Sequence, residues 1–388
     1  MDFALTDDQL AYQQTARQFA QKELKPNSAE WDRNSHFPVD IIKKTGELGF
    51  LGLYTNANYD GLGLPRLDSA IVFEELAWGD TAVAAYISIH NMVTWMIGEY
   101  AKDEVRADIV PRLVSGELLS SYCLTEPSAG SDAGALTTKA VKQDGEDYYI
   151  LNGEKTFISG AGSTDILVVM ARSCGSGPKG VSAFVVDAHS EGISYGKNEH
   201  KMGWKAQPTR TIHFKDTKVP AKNLLGNEGE GFKFAMKGLD GGRINIGICA
   251  VGTAQTALET ALAYVQERQQ FGTAIAELQS VQFKLADMLT ETIAARQMIY
   301  LAAHKLDKKD PNATAYCAMA KRMATDLSFK VANEALQLHG GYGYLNEYPL
   351  ERYVRDLRVH QILEGTNEIM RVIVSRKMLT EDSLNGLR

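Results

Sequence analysis

The amino-acid sequence predicts a multidomain protein of the α+β class, mainly α, with helices at both ends and one β module between them. Three observations carry this. At 388 residues the chain is long for one hydrophobic core. Strand-like runs are confined to about 119–226, while residues before and after follow a helical period. No internal repeat or low-complexity linker separates the zones, so they are expected to pack together. The boundaries fall at 1–118, 119–228 and 229–388.

In the first zone Thr6 and Gln9 form a capping box, apolar positions follow at Leu10, Ala16, Phe19 and Leu24, and Pro26 is expected to stop the helix. Further helical runs cover about 68–78, 82–100 and 102–115. In the middle zone, Asp144-Gly145 and Asn152-Gly153 both read as hairpin turns between β-rich runs. "ILVVMARS", "VSAFVVD" and "TRTIHF" supply further strands. In the last zone residues 279–306 place Val281, Leu285, Met288, Leu289, Ala295, Ile299 and Ala303 near a 3.6-residue period. Such a helix spans about 40 Å, a length that suits a bundle. Asp310-Pro311-Asn312 breaks it, and another helix runs to Gln337.

Composition removes several function classes. Net charge is −7 and no cluster of five Lys/Arg exists, which argues against nucleic-acid binding. No uninterrupted apolar stretch approaches a bilayer span, so no membrane partner is expected. The acidic start "MDFALTDDQL" is neither a signal nor a transit peptide, and a cytoplasmic location is expected. Cys123, Cys174, Cys249 and Cys317 lie far apart, as reduced thiols do. The eight histidines show no ligand spacing, so no metal is expected. "GSGPKG" (175–180) matches a dinucleotide fingerprint but joins two strands instead of opening a helix. His339-Gly340-Gly341 resembles an esterase oxyanion loop, yet the chain has no GxSxG elbow.

Four segments remain. "CLTEPSAGSDAG" (123–134) offers hydroxyls and backbone N–H groups to a polar ligand, or is a solvated linker. "GLDGGRIN" (238–245) bares helix backbone, to a ligand or to a neighbouring helix. "HGGYGY" (339–344) admits close approach of another group, or is a tight turn. In "QILEGTNEIM" (361–370) Glu364 follows Ile362-Leu363 and precedes Gly365, and Thr366-Asn367 read as the cap of a new helix. Taken alone, Glu364 reads most simply as an exposed loop residue.

Together "YCLTEPSAGSD", "FISGA", "RQQFG", "QLHGGYGY" and "VRDLRVHQILEGTNEIMR" resemble the acyl-CoA dehydrogenase family over essentially the whole chain. The resemblance implies an α-helical N-terminal domain, a central β-barrel-like domain, a C-terminal four-helix bundle, bound FAD and a homotetramer. It places the flavin against Tyr122, Cys123, Leu124, Thr125, Glu126, Pro127, Ser128, Ala129, Gly130 and Ser131, and against Phe157, Ile158 and Ser159. Arg268, Phe271, Leu278, Gln279, Gln337, Leu338, His339, Gly340, Gly341, Thr366, Asn367 and Glu368 would hold the rest, partly from a neighbouring subunit.

Ser131, Asp240, Gly241, Gly242, Arg243 and Arg376 would touch the acyl-CoA, and Glu364 matches the family's catalytic base. Some relatives carry that base at the position of Gly242 instead, so only one of two sites is filled here. Ile362 and Leu363 are expected to supply part of the apolar surroundings that raise the Glu364 pKa, and Gly365 to leave room for substrate. "AAYISIHNM", "GWKAQPTR" and "GLDGGRINI" look most like the branch that converts isobutyryl-CoA to methacrylyl-CoA and passes electrons to an electron-transfer flavoprotein. A 2-methylbutyryl or straight short-chain substrate, a flavin oxidase and a non-catalytic nucleic-acid-binding flavoprotein are the alternatives.

Overall fold

The computed structural model describes residues 4–380, 386 and 387. Its first third is helical: α1 (Asp7–Phe19), α2 (Ser28–Asn34), α3 (Val39–Glu47), α4 (Arg66–Gly79), α5 (Thr81–Tyr100) and α6 (Asp103–Val114). The capping box forms as expected. Thr6 Oγ1 accepts from the Gln9 N–H at 3.2 Å and Gln9 Oε1 accepts from the Thr6 N–H at 3.0 Å. The helix loses α geometry before Pro26 is reached, passing into a π-helical turn at Ala20–Leu24. Leu10, expected on the apolar face, is 48% exposed, whereas Ala16 and Leu24 are buried. Helices α4 and α5 are buried on almost every side, which their nearly all-apolar sequences permit.

The middle zone is one eight-stranded sheet: β1 (Ser120–Cys123), β2 (Lys139–Lys142), β3 (Tyr148–Ser159), β4 (Ile166–Arg172), β5 (Val181–Asp187), β6 (Ile193–Tyr195), β7 (Thr209–Pro220) and β8 (Leu224–Leu225). The strand order is β6-β7-β3-β2-β4-β5-β8, with β1 parallel beside β4. Phe184 of β5 and Phe214 of β7, far apart in that order, share one core with Leu151, Leu167 and Val186. The sheet therefore curls into the barrel-like form. The other face of β4 and β5 packs on α5, α6 and the helix that follows the sheet.

Asp144-Gly145 is the turn between β2 and β3, as expected. Asn152-Gly153 is not a turn. It lies inside β3 at a register shift, where Asn152 Oδ1 accepts from the Asp216 N–H of β7 at 2.9 Å. Gly153 has φ +145°, and a Cβ there would come within 2.6 Å of Thr138 Oγ1.

The last zone contains α7 (Gly231–Glu267), a short hairpin of β9 (Gln269–Gln270) and β10 (Thr273–Ala274), then α8 (Gln279–Asp307), α9 (Ala313–Leu338), α10 (Leu350–His360) and α11 (Asn367–Met378). Helices α7, α8 and α9 interleave with α4 and α5 in one core, in which Ile244, Ile248, Ile299 and Ala320 are fully buried. By length and composition α7 could cross a membrane, contrary to the expectation from uninterrupted runs. Its most apolar window is 72% buried by its neighbours, the environment of a central bundle helix.

Candidate functional site

Glu364 sits in the turn between α10 and α11. Thr366 caps α11, its Oγ1 accepting from the Ile369 N–H at 3.3 Å, so the chain reverses sharply just beforehand. Glu364 takes φ +55° and Gly365 φ +84° to make that reversal. A Cβ on Gly365 would also lie 2.7 Å from Met370 Cε. Turn geometry and the Met370 contact account for this glycine, rather than room for a substrate.

The reversal directs the Glu364 carboxyl inward, onto α7. A Cβ on Gly242 would stand 2.6 Å from Glu364 Oε2. Part of the side chain meets solvent, but Oε2 is buried and has no hydrogen-bond partner among the described residues. Burial raises the carboxyl pKa to about 7, against the charges of Arg243 and Lys321, which lower it. Ile362 contributes little to this burial, being 49% exposed; Leu363 packs on the main core. The covering groups come from elsewhere: Gly242 of α7, and two tyrosines, Tyr54 and Tyr122, whose hydroxyls the Glu364 charge holds above their ordinary pKa, burial being the larger cause. The Glu364 N–H donates to no acceptor in the described chain.

Two cations flank the carboxyl. Arg243 is 5% exposed and pairs with Asp240 at 2.6 Å, and Asp240 also accepts from Thr314 Oγ1 at 2.6 Å. Lys321 on α9 is fully buried, and its Nζ donates to the Gly365 carbonyl and to Asn367 Oδ1, each at 2.9 Å. Burial lowers the Lys321 pKa to about 8, while Glu364 works in the opposite direction. Lys321 thus ties α9 to the residues on either side of the turn. Sequence reasoning passed over Lys321, Tyr54 and Asn245. A usable signal existed for the lysine: Cys317, Lys321, Ala324 and Ser328 fall on one buried face of α9, which an unpaired cation would not occupy.

The segment Tyr122–Ser131 leads from β1 into an irregular loop. The Tyr122 hydroxyl is buried and unpartnered. Other members serve the protein interior: Cys123 lies in the barrel core, and Leu124 and Ala129 are buried against α5. Glu126 binds Lys155 at 2.7 Å and accepts from the Thr137 and Thr138 N–H groups at 2.6 and 2.9 Å. Burial opposes its ionisation, but these partners hold its carboxyl well below the usual range. Thr125 is half-buried, and Pro127 and Ser128 are exposed with Gly130 and Ser131. Among the strand residues Ile158 is buried, the Ser159 carbonyl accepts from Ser121 Oγ at 2.7 Å, and Phe157 alone is turned out, 68% exposed at φ +58°.

A second cluster lies at the far end of the bundle. Leu338, His339, Gly340 and Gly341 line an open groove of about 360 Å³ with Tyr264 and Arg268. The His339 ring stacks on Tyr264 at 4.1 Å, and a Cβ on Gly340 or Gly341 would meet nothing within 4 Å. Gln337, Gln279 and Phe271 are exposed, Phe271 by 95%, and Leu278 is half-buried. Asn367 is buried under Lys321, while Thr366 is half-buried and Glu368 exposed. Arg376 lies nine residues beyond Asn367, so at about 1.5 Å per residue it stands about 14 Å along α11 from the turn.

Sequence profiles described as acyl-CoA dehydrogenase N-terminal, middle and C-terminal domains match residues 6–117, 121–217 and 229–379. The chain is 51% identical over 379 residues to an isobutyryl-CoA dehydrogenase, mitochondrial, of Dictyostelium discoideum, covering 97% of this chain and 91% of that one. The fold matches butyryl-CoA dehydrogenase from Megasphaera elsdenii with a TM-score of 0.95 and 40% identity, over 98% of this chain and all of that one. An equal match, TM-score 0.95 at 40% identity and 98% and 100% coverage, is a chain from a structure described as the electron transferring flavoprotein of Acidaminococcus fermentans.

Proposed function

Since the chain belongs to the acyl-CoA dehydrogenase family and FAD is its cofactor, we propose that it α,β-dehydrogenates isobutyryl-CoA to methacrylyl-CoA, with Glu364 as the base. One observation supports this most: a carboxyl whose Oε2 is buried and unpartnered, seated on a bare glycine of α7. An aqueous glutamate, with pKa about 4.3, is too weak a base for an α-C–H. Raised to about 7 by burial, Glu364 accepts a proton more readily and is still about half ionised at neutral pH.

The remaining acidity must come from the thioester, whose carbonyl oxygen gains charge as the α-proton leaves. The unengaged Glu364 N–H is a donor for that oxygen on the same residue as the base. Arg243 and Lys321 keep Glu364 ionised before the transfer. FAD, where bound, would supply the acceptor for the β-hydride. The residues present fit it. The Tyr122 hydroxyl is buried and unpartnered, Phe157 is exposed, and Gly340 and Gly341 leave space at the bundle end. Tyr122, Phe157, Arg268 and Gln337–Gly341 are the residues we assign to holding it.

The likeness to a chain described with an electron transferring flavoprotein supports such a protein as electron acceptor. The likeness to a butyryl-CoA dehydrogenase favours, as second reading, a straight short-chain substrate. A panel of isobutyryl-, 2-methylbutyryl-, butyryl-, isovaleryl- and hexanoyl-CoA with a dye acceptor separates them. Isobutyryl-CoA is expected to give the highest kcat/KM. An advantage of about tenfold for butyryl- or isovaleryl-CoA, about 1.4 kcal/mol in transition-state binding, would reverse the assignment.

A further inference from the structure

The face of α7 that receives Glu364 continues along the helix. Gly238, Gly241, Gly242 and Asn245 stand at i, i+3, i+4 and i+7, one stripe. Each meets a different group. A Cβ on Gly238 would touch Met96 Sδ at 3.3 Å, and one on Gly241 would lie 2.4 Å from Arg66 Nη1. Gly242 meets Glu364, and Asn245 Nδ2 donates to the Tyr54 hydroxyl at 3.3 Å. A side chain at 241 would have to push the Arg66 guanidinium aside.

Arg66 is an unusual occupant of such a stripe. Its guanidinium carbon lies 3.5 Å from the Tyr54 ring centroid and 5.4 Å from that of Trp95. Nη1 is buried with no hydrogen-bond partner, and among the described residues no carboxylate pairs with the guanidinium. Two aromatic faces hold the cation where a counter-ion would be expected. Its base is fixed separately: the Arg66 and Leu67 N–H groups donate to the Asp307 carboxylate at 2.8 and 3.3 Å. The Asn245 Oδ1 atom, on a side chain 1% exposed, is likewise unpartnered. Tyr54 lies against the Arg66 guanidinium, and Arg66 and Glu364 meet α7 at adjacent positions, Gly241 and Gly242.

We propose that Arg66 is a specificity-determining residue that closes the acyl end of the site and limits the enzyme to short acyl chains. This rests on the reading of Glu364 as base. A short branched acyl group at Glu364 ends against Tyr54 and the methionines of α5. Each further methylene must displace the guanidinium or press apolar carbon on a charge that already lacks a partner, and both are unfavourable. Gly241 belongs to the same device, because it leaves the slot that the guanidinium fills.

The test uses the FAD-loaded enzyme and two non-reactive ligands, S-butyl-CoA and S-octyl-CoA, whose dissociation constants are read from the flavin spectrum. A kcat/KM comparison of isobutyryl- and octanoyl-CoA runs beside it. Arg66→Ala is expected to move both ratios toward the eight-carbon chain by about tenfold or more, with the flavin still bound. Arg66→Met keeps the stem and removes the charge, and is expected to move them the same way by about threefold; it carries the test if Arg66→Ala does not fold. Ratios unchanged within experimental error in the folded variant overturn the proposal for Arg66 alone. A wild-type enzyme that binds both thioethers but oxidises no acyl-CoA overturns the proposed function, while the binding ratio still decides on Arg66. Failure of the wild type to bind either thioether overturns both.

Discussion

A glutamate at φ +55° holds a conformation that costs a side-chain-bearing residue of order 1 kcal/mol, and the fold imposes it where the Glu364 carboxyl turns inward onto α7. Replacing Glu364 by Gln keeps the shape and removes the proton acceptor. The rate of anaerobic flavin bleaching should fall by about 10²–10⁴ with FAD retained; reduction within about tenfold of wild type would exclude Glu364 as base. The pKa supplies a second expectation. Below about 7 the carboxyl is protonated and idle, so kcat/KM should fall with pH on the acid side of that value.

Stability runs the other way. The folded-state pKa lies above the ordinary glutamate value of about 4.3, so the folded form holds its proton more tightly and loses stability as pH rises from about 4.3 through 7. Glu364→Gln should therefore raise Tm relative to wild type more at pH 8 than at pH 5. The gain is bounded by about 3 kcal/mol, at about 1.36 per unit, and falls short of it because part of the side chain meets solvent. The place of Glu364, just before a capped helix, was readable from "QILEGTNEIM", whereas its role as base came from the family resemblance and is our proposal. Its surroundings were not readable, because Tyr54, Gly242 and Lys321 reach it from segments tens to hundreds of residues away.

Among elements, α7 and α9 define the site between them. Glycines inside α7 each cost about 1 kcal/mol relative to alanine, and at 242 the return is the seat of the Glu364 carboxyl. Gly242→Ala should gain helix propensity yet lose activity: the methyl displaces Oε2, and a shift of about 1 Å is worth about 10² in kcat. Tm and kcat measured together check the opposed signs. From α9, Lys321→Met removes the donor to the part-buried Gly365 carbonyl and to Asn367 Oδ1, which keeps only the longer bond from Thr325 Oγ1, a loss of about 1–3 kcal/mol. A lower Tm with kcat reduced more than KM is the expected result.

Helix extents, the capping box and the Thr366 cap were legible because their causes are local in sequence. Asn152-Gly153 misled because a register shift and a hairpin turn use the same residues. The choice between them is made by β7, some sixty positions on.

For the whole molecule, the exposed apolar groups exceed what a lone chain ordinarily shows. Phe271 is 95% exposed, Tyr344 83%, Phe157 68% and Phe283 60%, and Ile293 and Leu301 stand out from α8. Cover for these groups by FAD or further subunits would accord with a homotetramer, which we propose. Light scattering should give four times the chain mass, and Tm should rise with protein concentration as association stabilises the folded form. A monomer with concentration-independent Tm would exclude the tetramer.

The contact between Gly242 and Glu364 also bears on ancestry. On the reading of Glu364 as base, an acid placed at 242 would stand against the same carboxyl, and single substitutions could move the acid between the two places only in steps. Losing Glu364 first leaves a chain with no base, which selection on activity removes. Gaining the acid at 242 first puts two carboxyls within contact distance, where they share a proton and one stays ionised. That crowded form would retain a base, so Gly242→Glu is expected to keep a measurable fraction of wild-type flavin reduction where Glu364→Gln loses it.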